Sequence, residues 1–108
     1  MASEQREHYR IDYPLSKRGK IIVRGSEFKV IDVSQRGIKF SIESNPNGTW
    51  VVSNSVKGSI TFLVGKQRLF QGRIIRVSAN DVILHLDDDI PLGLMNEEHR
   101  FIINYFKK

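Results

Sequence analysis

Two groups of residues in the first third of the chain have types and spacings suited to chemistry with a nucleotide. Arg6 and Arg10 form an R-x-x-x-R pair, and Asp32-Val33-Ser34-Gln35-Arg36-Gly37 forms a D-x-S-x-x-G turn. A guanidinium presents parallel N–H donors, which match the adjacent O6 and N7 acceptors of guanine or the oxygens of a phosphodiester. A carboxylate presents two acceptors, which match guanine's N1–H and N2 donors. Adenine offers neither adjacent pair, so arginine and aspartate together select guanine. Arginine planes also stack on purine faces. In an extended segment Arg6 and Arg10 point to one side, roughly 13 Å apart, and can straddle a ligand as wide as a dinucleotide. Asp32 and Ser34 share one side of a strand end. Gly37 admits a positive φ and close backbone approach. Arg36, in the same turn, adds charge.

The elements that must hold these residues are short strands. Met1 to Lys17 is polar, with Pro14 opposing regular structure, and reads as an extended arm. Lys20–Arg24 and Phe28–Val33 follow as strands. Ile38, Phe40 and Ile42 alternate with Lys39 and Ser41, the period of a half-buried strand. Residues 44–55, with Asn45-Pro46 and Asn47-Gly48, read as a loop. A strand over 60–64 turns at Gly65-Lys66 into a long strand over 69–77, and Val82–Leu86 follows. Ser53-Asn54-Ser55-Val56-Lys57-Gly58 imitates the second motif but lacks its acid, and it reads as a turn. After Asp87-Asp88-Asp89 and Pro91 the period becomes helical, with Leu92, Met95, His99, Ile102 and Phe106 on one face and Glu97 and Glu98 elsewhere. The acids before this helix and Lys107-Lys108 at its end suit its dipole. The expectation is all-β: a six-stranded antiparallel barrel with a C-terminal α-helix, the arm over 1–17 and the barrel with its helix over 18–108.

At 108 residues the chain has room for one modest core, and 40% hydrophobic with 27% charged residues is ordinary for a globular domain. It has no cysteine, hence no disulfide and no thiolate metal site. No apolar run reaches the roughly 20 residues of a membrane span, and the N-terminus lacks a secretory apolar region, so the cytoplasm is expected. The net charge of +5 is uneven: residues 1–40 and 41–80 each carry an excess of +4, and residues 81–108 carry −3. An anionic partner meeting the first two-thirds fits that asymmetry.

The two motifs in this order, followed by strands and a final helix, resemble the PilZ domain from Gln5 onward, with no mismatch at Arg6, Arg10, Asp32, Ser34 or Gly37. The resemblance implies a barrel that binds cyclic di-GMP, with the arginines on phosphate and guanine and Asp32 and Ser34 holding a guanine. Some PilZ members carry an extra arginine before the first motif arginine and bind a stacked ligand dimer; Gln5 stands there in this chain. Arg36 and Arg76 are further candidates for ligand contact, with solvent the favoured place for Arg76. The implied protein is a non-enzymatic receptor that orders its arm on binding and signals through a protein partner, in motility, biofilm, exopolysaccharide or virulence control. It implies no nucleic-acid polymer, no membrane insertion and no cofactor.

Other chemistries find little support. His8, His85 and His99 lack ligand spacing, and the aspartate run lacks an EF-hand's pattern, so no metal site is expected. No nucleophile elbow, P-loop or activated pair is present, so no catalytic residues are assigned. Trp50 is expected to cover a barrel end. A basic barrel binding single-stranded nucleic acid would need exposed aromatics among its cations, whereas Phe28, Phe40, Phe62 and Phe70 read as interior or scattered. A nucleotide-indifferent protein adaptor is the remaining alternative.

Overall fold

The computed structural model describes residues 10–43 and 48–106. Its elements are β1 (Arg10–Asp12), β2 (Lys20–Val23), β3 (Ser26–Ser34), β4 (Gly37–Ser41), β5 (Ser55–Thr61), β6 (Gln67–Val77), β7 (Asp81–Leu86) and α1 (Leu92–Phe106). The ring runs β3-β2-β5-β6-β7-β4 and closes where β4 returns to β3. Every pairing is antiparallel. The result is the expected closed six-stranded barrel with one C-terminal helix, plus one extra strand. That strand, β1, pairs with the end of β3 outside the ring.

Alternation dictates the core. Ile21, Val23, Phe28, Val30, Ile38, Phe40, Ile60, Ile74, Val82 and Leu84 point inward and are buried, and most of their sequence neighbours are polar or exposed. Trp50 packs edge-on against Phe28 and Phe40, with centroids 5.5 Å away in both cases, and Arg24 lies over its outer face. Arg24 and Gly25 take positive φ of 55° and 80° in the two-residue β2–β3 turn, the geometry that matches the twist of flanking strands.

Two expectations need correction. The segment from Ser55 to Gly58 is the start of β5 and not a turn, and the strand ends at Thr61, so residues 62–64 belong to the β5–β6 connection. Val56 and Ile60 set the strand's inward face. Gly58 is required because a Cβ there would lie 2.1 Å from the Ile22 carbonyl oxygen. Second, Glu98 is completely buried, whereas Leu92, His99 and Phe106 are exposed. Glu98 lies three residues after Met95 and four before Ile102, so it shares their helical face. Asp87–Asp89 precede α1, as expected, and Lys107-Lys108 fall outside the described residues.

Glu98 fastens the helix to the barrel. The Tyr13 hydroxyl donates to it at 2.6 Å, and the backbone N–H groups of Leu63 and Val64 donate at 2.7 and 3.0 Å. Burial, followed by the bond to Glu98 and its charge, raises the Tyr13 phenol far above its ordinary value. The helix is thereby tied both to the β5–β6 turn and to the residue that follows β1.

Candidate functional site

The site residues reach the surface because β3 contains a bulge. Phe28 and Val30 point inward, and unbroken alternation would turn Asp32 into the core. The β3–β4 register instead shifts between Val30 and Asp32, leaving Ile31 as the additional residue. The parity flips, so Val33 is buried while Asp32 and Ser34 are only half-buried. The Ile31 carbonyl is not wasted: it accepts the Tyr13 N–H at 2.9 Å, which anchors the chain just past β1.

Registry then brings the two motifs together. Arg10 is the cross-strand partner of Ser34, and Asp12 that of Asp32. On the opposite side of β3, Asp32 faces Lys39 of β4. That row continues through Ile83 of β7 to Arg76 of β6. The neighbouring row runs from Gly37 through His85 to Arg73. Arg10, Asp32, Ser34, Lys39, His85, Arg73 and Arg76 therefore share one outer face of the barrel. Arg76 is exposed, as expected, and stands three strand spacings from Asp32, roughly 14 Å.

Local bonds fix the turn. The Gly37 N–H donates to Ser34 Oγ at 3.0 Å, so the half-buried serine performs turn chemistry. Gly37 is not among the positive-φ residues, contrary to one reason given for glycine there. Its use is close approach, since a Cβ would lie 3.3 Å from Ser34 Oγ and 3.4 Å from the Leu84 carbonyl oxygen. Arg36 leaves the motif face and forms an ion pair with Asp89. Arg10 Nε lies 3.5 Å from Asp12, an exposed pair of small energetic weight that leaves the guanidinium available. Gln5 and Arg6 lie outside the described residues.

Burial raises the Asp32 carboxyl above its ordinary value; Arg10 and Lys39 pull it back, and Asp12 and Asp81 push it up again. A half-buried carboxylate between two cations and two acids is poised to accept donors from a ligand edge. Lys39 was invisible to motif reading, yet it is legible afterwards as the residue two places after Gly37 on the outward side of β4. His85 and Arg73 had no sequence signal, because their place depends on barrel closure. Among the described residues no cluster of three metal-ligating side chains occurs. No described helix is long and apolar enough to cross a membrane.

The PilZ domain pattern matches residues 4–104, nearly the whole chain. The chain belongs to the PilZ domain family. PilZ domains are binding domains, and cyclic di-GMP is their typical ligand. An uncharacterised Legionella protein of known structure superposes with a TM-score of 0.54 at 11% identity, covering 93% of this chain and 96% of its own. The Bacillus subtilis inhibitor of motility MotI/DgrA superposes with a TM-score of 0.58 at 15% identity; 95% of this chain matches 51% of that one. This chain thus spans about half the length of that relative, and at such identities the likeness concerns fold. Among curated protein sequences none matches significantly.

Proposed function

We propose that this PilZ domain is a cyclic di-GMP receptor without enzymatic activity, acting in the cytoplasm through a protein partner. The observation that carries the reading is the registry of Arg10 with Ser34 beside a half-buried Asp32. An arginine fork and a carboxylate at that separation match opposite edges of a guanine bound to one face. Asp32 accepts N1–H and N2–H, Ser34 adds a polar contact, and Gly37 keeps the backbone close. Arg10 and Arg6 grip phosphate and the O6/N7 edge, with Lys39 and Arg76 as further cations on the same face. Gln5 remains a candidate contact at the start of the arm; Arg36, turned toward Asp89, is a weaker one.

Ligand binding changes the conformation of the chain around the site, and the altered surface engages the partner. Motility, biofilm, exopolysaccharide or virulence control are the outputs open to such a module. Calorimetry tests the reading. Cyclic di-GMP binds at micromolar or better, and cyclic di-AMP and GTP do not. Arg10→Lys keeps the charge but loses the fork, and binding weakens by about an order of magnitude or more. Equal binding by Arg10→Lys would overturn the bidentate role. The single-stranded nucleic-acid alternative is disfavoured because Phe28, Phe40 and Phe62 are buried in the barrel.

A further inference from the structure

The elbow between β1 and β2 holds a second cationic feature. A cavity of about 270 Å³ opens there, lined by Lys17, Arg18, Lys20 and Lys29 with the hydroxyl-bearing Ser16 at its edge. None of these residues belongs to either motif. Lys20 and Lys29 are direct cross-strand partners, an arrangement of like charges that destabilises a sheet when nothing offsets it. The offsets present are weak. Glu27 lies 3.9 Å from Lys20 on the exposed surface, and Lys17 sits 5.2 Å above the Tyr105 ring. Among the described residues Lys29 has no carboxylate partner. Arg18 Nε is buried and, among the described residues, has no hydrogen-bond acceptor, an unmet donor beside the cavity. Four cations, one of them with a buried donor, and one hydroxyl form a site suited to an anion.

We propose that this elbow binds a phosphate-bearing anion of two or more charges, separately from the motif face. A polyphosphate fits the charge count, since Arg18 offers fixed N–H donors and the three lysines offer mobile ones. The source is a soluble phosphate compound or a lipid headgroup. Leu15, 85% exposed at the rim, gives the second source an apolar contact.

Two arms separate the sources, both with the full chain. In the first, inorganic pyrophosphate is titrated at constant ionic strength while backbone amide resonances are followed. Saturable shifts centred on residues 15–20 and Lys29, retained in Arg10→Ala, support the site. In the second, flotation compares vesicles of phosphatidylcholine alone with vesicles containing phosphatidylglycerol. Lys20→Gln/Lys29→Gln weakens the response about tenfold, whereas Lys57→Gln/Lys66→Gln, with the same net charge, does not. A specific response to pyrophosphate assigns the site to soluble phosphates, and one confined to anionic vesicles assigns it to lipid. No specific response in either arm overturns the proposal. Equal losses in the two double variants overturn it as well, because net charge alone would then explain binding. Loss of pyrophosphate binding in Arg10→Ala overturns the claim of a separate site, whatever becomes of cyclic di-GMP binding.

Discussion

Truncating Glu98 should unfasten the helix at a cost that the structure allows one to work out. The side chain is 0% exposed and its two oxygens accept three hydrogen bonds. Glu98→Ala leaves the Tyr13 hydroxyl and the N–H groups of Leu63 and Val64 without their acceptor. A buried donor stripped of its partner costs about 1–3 kcal/mol. The two amides lie in a partly exposed turn where water can replace some of the loss. The sum over the three donors, discounted for that exposure, is about 3–5 kcal/mol. For a domain of this size that lowers Tm by roughly 15–30 °C. Glu98→Gln keeps one acceptor oxygen and should cost about 1–2 kcal/mol. A double-mutant cycle of Tyr13→Phe with Glu98→Gln should return a coupling near 1 kcal/mol. Thermal unfolding followed by circular dichroism reads wild type and all four variants. A Glu98→Ala variant within about 0.5 kcal/mol of wild type would refute the fastening role, because ordinary surface substitutions fall within that margin.

Four further outcomes are expected. Folded Tyr13 holds its proton above its ordinary range whereas the unfolded chain releases it near pH 10, so the native state binds more protons there. Stability should therefore fall as pH rises above about 10, and denaturant melts of Tyr13→Phe should show a shallower decline. The Asp32 carboxyl titrates above its ordinary value and must be ionised to accept guanine's donors. Affinity for cyclic di-GMP should weaken about tenfold per pH unit once acidification passes that raised value, while Asp32→Asn should bind weakly at every pH. Arg10→Lys should lose about 1.5–3 kcal/mol of ligand affinity, roughly 10- to 150-fold by calorimetry. Gly58→Ala forces a Cβ into the Ile22 carbonyl and should cost about 3 kcal/mol or abolish folding, visible in the same melts.

Much of the barrel was legible because its strands are half-buried. Ile38, Phe40 and Ile42 alternate cleanly, and all three are buried. The β1 strand was not legible: three residues carry too little pattern, and it forms only because the nine-residue β3 outruns its pairing with β2. The start of β5 was hidden by Ser55 and Gly58, residues typical of turns, although Gly58 serves the close packing of β5 on β2. Glu98 escaped because charge was weighed above its spacing from Met95 and Ile102. At the candidate site the motif types were readable and their convergence was not. The Ile31 bulge, which turns Asp32 outward, and the registry of Arg10 with Ser34 are properties of pairing between strands. Lys39, His85 and Arg73 join the same face only once the ring closes.

Side-chain NMR during titration with cyclic di-GMP tests the central claim most directly, by following the Arg10 Nε resonance and the Asp32 carboxyl carbon together. Both should move and saturate at the same ligand concentration, and cyclic di-AMP at equal concentration should leave the Asp32 signal in place. Saturation by cyclic di-GMP with neither resonance displaced would contradict the assignment of these two groups to the guanine.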